Sequence, residues 1–193
     1  MPMNVPFVTD ERQALLAFLT QQRAAVRNAA YGLTDDQART TTTASTLSIG
    51  GLVKHVAGAE SGWIDRVLRC DSSDPTDYAG YLAGFQMQSD ETLDGLLDRY
   101  GEVAARTESV MAEIGDLGQD VPLAKGVPWF PDEASVRWVL LHLVEETARH
   151  AGHADIIREC LDGATAGSLM AAAEKWAPSP WVKMCIRDRW MQS

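Results

Sequence analysis

The sequence predicts an all-α protein, an antiparallel four-helix bundle, on three observations. Four long segments carry apolar residues at helical spacing, no segment alternates as a strand of useful length, and the links between them are polar or rich in Gly and Pro. The first helix is expected from about Asp10 to Ala30 behind Thr9 as its cap, with Leu15, Leu16, Phe18, Leu19, Val26 and Ala29 as its stripe and Gly32 ending it. A short helical turn follows at 34–38. Ser48 can cap the second helix, whose stripe is Leu52, Val53, Val56, Ala59, Trp63, Ile64 and Val67 and whose end lies near Cys70. A polar link, Asp71 to Pro75, and a patch from Tyr78 to Phe85 of no clear periodicity lead to the third helix, capped by Ser89 or Asp90 and carrying Leu93, Leu96, Leu97, Tyr100, Val103 and Met111. Gly118, Pro122, Gly126, Pro128 and Pro131 mark 115–132 as a long irregular loop, and loops of that length are often functional. The fourth helix is expected from about Ala134 to Leu161, stopping at Gly163, with a short outer helix near Ala171 to Lys175 beside Trp176 and Trp181.

The chain has 193 residues, enough for one domain with a sizeable core, and a net charge of -10 with no compensating Lys/Arg cluster. Phosphate backbones and anionic membrane surfaces would repel it, so neither nucleic acid nor membrane is an expected partner. Without a basic-then-apolar leader or an apolar run of about 20 residues, a cytoplasmic location is expected. Cys70, Cys160 and Cys185 form no C-x-x-C pair, which suits ordinary reduced thiols. The stretch Met184 to Arg189 resembles a translated sequencing-library adapter. Residues 1–183 are therefore read as the single domain and 184–193 as a non-native tail.

Three of the four histidines cluster with a carboxylate as His142, Glu146, His150 and His153. At about 100° per residue, Glu146, His150 and His153 lie only roughly 40°, 80° and 20° around the helix from His142, so the four form one ridge beside the apolar stripe. Glu146 and His150, one turn apart, have the spacing that clasps one ion from a rigid backbone. A third donor must come from elsewhere, and His55 is the one histidine outside this helix, at the edge of the second helix's stripe. Two imidazoles and one carboxylate would leave positions for water or substrate, the pattern of a catalytic site. Zinc is the default ion; nickel, manganese or ferrous iron would also suit.

Structural readings compete with each of these. A single His or Glu beside an apolar stripe is ordinarily a hydrogen-bonded boundary residue, and one helical ridge can be a solvated face. There is no H-E-x-x-H, and neither Glu145 nor Glu146 is followed at the third position by His, as a di-iron bundle requires. Glu60 falls among Val53, Ile64 and Val67; a boundary carboxylate paired with a base such as Arg66 is favoured over a buried acid. Trp63, Trp129 and Trp138 at helical spacing are read as core before pocket, and Arg137 and Arg149 as surface cations before substrate anchors.

Two stretches, LSIGGLVKHVAGAESGWIDRVL at 47–68 and VRWVLLHLVEETARHAGHADIIRECLDG at 136–163, resemble the DinB-like superfamily (DinB/YfiT-like) of metal-dependent bundles, which includes the mycothiol-dependent maleylpyruvate isomerase. They are most similar to an actinobacterial branch known as a domain of unknown function. The resemblance spans nearly all of residues 9–163. It implies metal ligands at His55, Glu146 and His150, a supporting or proton-handling role for His153, and a weaker case for His142. Many members have His as the first of the helical pair; Glu146 departs from them and agrees with the isomerase. Members of known activity use the metal to activate a low-molecular-weight thiol, mycothiol or bacillithiol, for transfer or isomerisation, since a divalent ion lowers the pKa of a bound thiol.

The resemblance thus implies a metal- and thiol-dependent transferase or isomerase acting on a small molecule. Metal-dependent hydrolysis, and a noncatalytic small-molecule-binding or homodimeric bundle, are the competing expectations.

Overall fold

Short polar side chains set where the helices begin. The computed structural model describes residues 4–69, 78–123, 131 and 133–177. Asp10 accepts from the Gln13 amide at 2.9 Å and opens α1, Glu11–Ala29, one residue later than a Thr9 cap would. Thr34 and Gln37 form a reciprocal capping box on α2, Asp35–Arg39. Ser48 caps α3, Ile49–Val67, as its sequence predicts. After the short α4, Tyr78–Ala83, Thr92 caps α5, Leu93–Glu113. Ser89 and Asp90 lie too early, because Glu91 folds back to take the Gln88 amide at 2.7 Å.

The connection after α5 contains a feature that periodicity does not reveal. Asp120–Val121 forms β1 and pairs antiparallel with β2, Ala134–Ser135, immediately before α6, Val136–Asp162. This pairing delays the helix by two residues relative to the expected start at Ala134. The Val136 and Arg137 amides then donate to the Gln119 and Leu117 carbonyls, so the connection satisfies two N–H groups that a helix start leaves without intrahelical partners. Gly163, at φ 74°, closes α6 in the left-handed region. The outer helix α7, Ala166–Ala173, begins earlier than the expected Ala171 because Thr165 and Ser168 form a second capping box.

The structure is mostly helical, with seven helices among the described residues. The four long ones, α1, α3, α5 and α6, bury two apolar clusters, one toward each end. One joins Val26, Leu52, Leu96 and Ala154, and the other joins Leu19, Ile64, Met111 and Leu140. These groupings fix the helix directions: α1 runs parallel to α6, α3 runs parallel to α5, and the two pairs oppose each other. The expectation of an antiparallel arrangement holds for α3 against α6 and fails for α3 against α5. The connection at 68–92 permits this, being long enough to return along the roughly 28 Å of α3. Phe18 also departs from expectation: it is 49% exposed, because the buried face of α1 is Leu19, Arg23, Val26 and Ala29.

Glu60 corrects a sequence expectation more sharply. It is 1% exposed, and its partner is Arg23, not Arg66. The Arg23 guanidinium donates to both carboxylate oxygens, at 2.6 and 3.1 Å, and Thr107 lies 2.5 Å from Oε1. This ties α1, α3 and α5 together at mid-length through a charge-assisted bidentate pair. Arg66 lies over the Trp63 ring instead.

No helix among the described residues is long and apolar enough to cross a membrane. Cys160 is exposed and free. The expectations for Cys70, Asp71 to Pro75, Trp129, Trp181, Cys185 and the tail at 184–193 lie outside the described residues.

Candidate metal centre

Because α3 and α6 run in opposite directions, residues late on one helix face residues early on the other. His55, in the first half of α3, therefore meets Glu146 and His150, which lie on either side of the middle of α6. One ligand atom from each of the three lies within 4.8 Å of the others. The arrangement converges on one oxygen: Glu146 Oε1 is 3.0 Å from His55 Nε2 and 3.2 Å from His150 Nε2. His150 is buried, while His55 and Glu146 are partly buried. Hydrogen bonds from His150 and then His55 hold the Glu146 carboxyl well below the usual carboxylate range, against the opposing effect of burial. An ionised oxygen between two imidazole nitrogens, reached from two rigid helices, is a donor set that fits a divalent ion.

The other members of the histidine ridge go elsewhere. His153 Nδ1 stands 3.4 Å from His150 Nδ1, on the far side of that ring from Glu146. His142 stacks on Trp138 at 5.1 Å and 11°, meets Trp63 edge-on, and is not in the converging group. Burial lowers its pKa, with the Glu146 and Glu145 charges opposing. Trp63 and Trp138 thus pack against each other and against His142, in keeping with their reading as core residues. Arg137 makes a bidentate pair with Glu11, and Arg149 pairs with Glu145 on the surface.

Phe85 is a neighbour of the centre that sequence reasoning missed. Its ring lies 3.7 Å from that of His55 at an interplanar angle of 16°. A lone Phe in an aperiodic patch offers no signal of this kind.

The mycothiol-S-transferase family model matches residues 14–163. The chain belongs to this family. The mycothiol S-transferases fall within the DinB-like superfamily, so the resemblance carried by 47–68 and 136–163 is upheld. A conserved protein from Enterococcus faecalis, known from a crystal structure, superposes with a TM-score of 0.65 at 15% identity, covering 81% of this chain and 99% of its own. At that identity the likeness speaks for the fold alone. No curated protein matches the chain.

Elsewhere on α6, partly buried Asp155 is pushed up to about 6, first by burial and then by the Glu159 charge. A carboxyl raised above its unfolded value of 3.8 is best tolerated in the fold when protonated. Stability is therefore lost as pH rises from about 4 through 6. Asp155→Asn is expected to exceed the parent chain in stability by on the order of 1 kcal/mol at pH 8, a figure already discounted for solvent screening. Urea unfolding at both ends of the range checks this, and the gain should shrink toward zero at pH 4.

Proposed function

We propose that the four long helices form a bundle around one divalent metal ion held by His55, Glu146 and His150. The chain is read as a mycothiol-dependent, or similar thiol-dependent, S-transferase or isomerase acting on a small electrophile in the cytoplasm. The observation that carries this reading is the convergence of three donors from α3 and α6 on one point, in a chain of the mycothiol S-transferase family. Zinc is the first choice of ion by donor chemistry, with nickel, manganese and ferrous iron as alternatives. When bound, the ion supplies charge that favours the thiolate over the thiol at neutral pH.

The protein's own groups have definable tasks. His55 and His150 share Glu146 Oε1 through Nε2, which requires those nitrogens to carry protons. Ligation through the same atoms requires the proton on Nδ1 instead. His153 supports that tautomer, because its Nδ1 stands where it can accept from His150 Nδ1. His153 is also the nearby imidazole proposed to take up and return protons during the reaction.

Elemental analysis of the purified protein, followed by conjugation assays with mycothiol and other low-molecular-weight thiols, tests the proposal. About one equivalent of metal and activity dependent on both metal and thiol are expected. Activity without added thiol would point to hydrolysis. A protein that binds no metal, and melts identically with and without chelator, would be a noncatalytic bundle, with homodimer assembly then the next property to measure.

A further inference from the structure

We infer that Phe85 is a positioning residue for the His55 imidazole, and that Gly51, with Gly50 beside it, is the seat that holds it there; the consequence for metal affinity rests on the metal site proposed above. Gly51 stands one helical turn before His55, so both occupy the same side of α3. A Cβ at Gly51 would fall 2.0 Å from the Phe85 carbonyl oxygen, and one at Gly50 would fall 2.5 Å from the Met87 sulfur. No side chain fits at Gly51 without displacing the backbone of the segment, whereas at Gly50 the first atom in the way is the end of the Met87 side chain. The missing side chain at Gly51 lets the Phe85 backbone lie directly on the helix, and that at Gly50 makes room for the Met87 side chain, which together bring the phenyl ring onto the imidazole one turn later.

Polar contacts lock the segment in this position. Lys54 donates to the Gln86 carbonyl at 3.1 Å and pairs with Glu91 at 2.8 Å. Glu91 in turn accepts from the Gln88 amide at 2.7 Å, and the Arg39 guanidinium donates to the Gln88 and Glu91 carbonyls. Met87 is buried in the core, whereas Phe85 is only partly buried. Its ring centroid lies 3.7 Å from that of His55, 5.8 Å from that of His150 and 5.4 Å from that of Tyr81.

The physical effect is on the freedom of one ligand. A histidine on an exposed helix face can rotate about two side-chain bonds, and ordering it opposes binding. His55 has one ring face covered by Phe85 and its Nε2 directed at Glu146. Outer groups that orient a metal ligand change affinity by about 10–100-fold when removed. Phe85→Ala should therefore weaken zinc binding by about that factor, while Phe85→Tyr, which keeps the ring, should stay within roughly threefold of the parent. Gly51→Ala should weaken binding in the same direction with Phe85 still present, because it displaces the segment.

Zinc dissociation constants from chelator competition test these expectations, beside NMR of the metal-free proteins. In the parent, the His55 ring protons should be shifted upfield by the overlying phenyl ring, and Phe85→Ala should abolish that shift. Parent-like zinc affinity in Phe85→Ala would overturn the inference and leave the metal site standing. No zinc binding by the parent would overturn the metal site and the affinity claim together. In that case a His55 shift retained in Phe85→Ala would overturn the positioning as well, and its loss would support it. Chain refolding problems with Gly51→Ala do not touch the Phe85 pair of variants.

Discussion

His150→Ala is expected to lose stoichiometric metal, with zinc affinity falling by more than about 100-fold, beyond the range seen when outer partners are removed. The reason lies in the number of donors. His55, Glu146 and His150 are the only group of three or more potential metal donors found together among the described residues. Removing one leaves two, on separate helices, and places a void at a position that is 7% exposed. His55→Ala should have the same effect from the opposite helix. Glu146→Gln should also release the ion, because it keeps the shape and removes the charge that balances the metal. His142→Ala serves as the comparison: its ring belongs to the Trp63 and Trp138 stack, so metal content should be retained. Elemental analysis and chelator competition on the four variants decide the matter. Equal loss of metal in His142→Ala would sink the assignment of ligands.

The second large effect concerns stability. Arg23→Ala is expected to cost about 3–5 kcal/mol, because it leaves the Glu60 carboxylate buried without its cation, and Glu60→Ala somewhat less, because Arg23 keeps the exposed Glu108 carboxylate at 3.2 Å. Both side chains of the pair are almost wholly enclosed, Arg23 at 4% and Glu60 at 1% exposure. Removing both charges together is a different experiment. Arg23→Met with Glu60→Leu should recover much of the loss, since neither desolvated ion remains. Urea unfolding of the three chains measures this. A double variant no more stable than either single would show that the pair acts through packing and not through charge.

Much of the fold was legible in the sequence because helix formation is largely a local matter. Apolar spacing located α1, α3, α5 and α6, but of the expected starts only the Ser48 cap of α3 was met, and the other three begin one to three residues later than expected. The ridge of His142, Glu146, His150 and His153 was equally plain, since the turn of one helix fixes the angles between its own residues. The resemblance to the DinB-like superfamily then singled out three positions, and the same three converge in space.

What the sequence could not determine is how one helix addresses another. Periodicity reports an angle around an axis; it does not say which partner occupies that angle or in which direction the partner runs. Hence Glu60 looked like a boundary carboxylate near Arg66, when the crossing of α1 and α3 gives it to Arg23. Hence also α3 and α5 were expected to oppose each other and run parallel. The ridge itself was divided by packing: His142 was drawn to two tryptophans, and His150 and Glu146 to His55. Phe85 was invisible for the same reason, because its place over His55 depends on the close approach of Gly51, more than 30 residues away. Sequence alone therefore determined the helices and the donor types, and tertiary packing decided which donors meet, because only the close approach of α3 and α6 brings their side chains within reach.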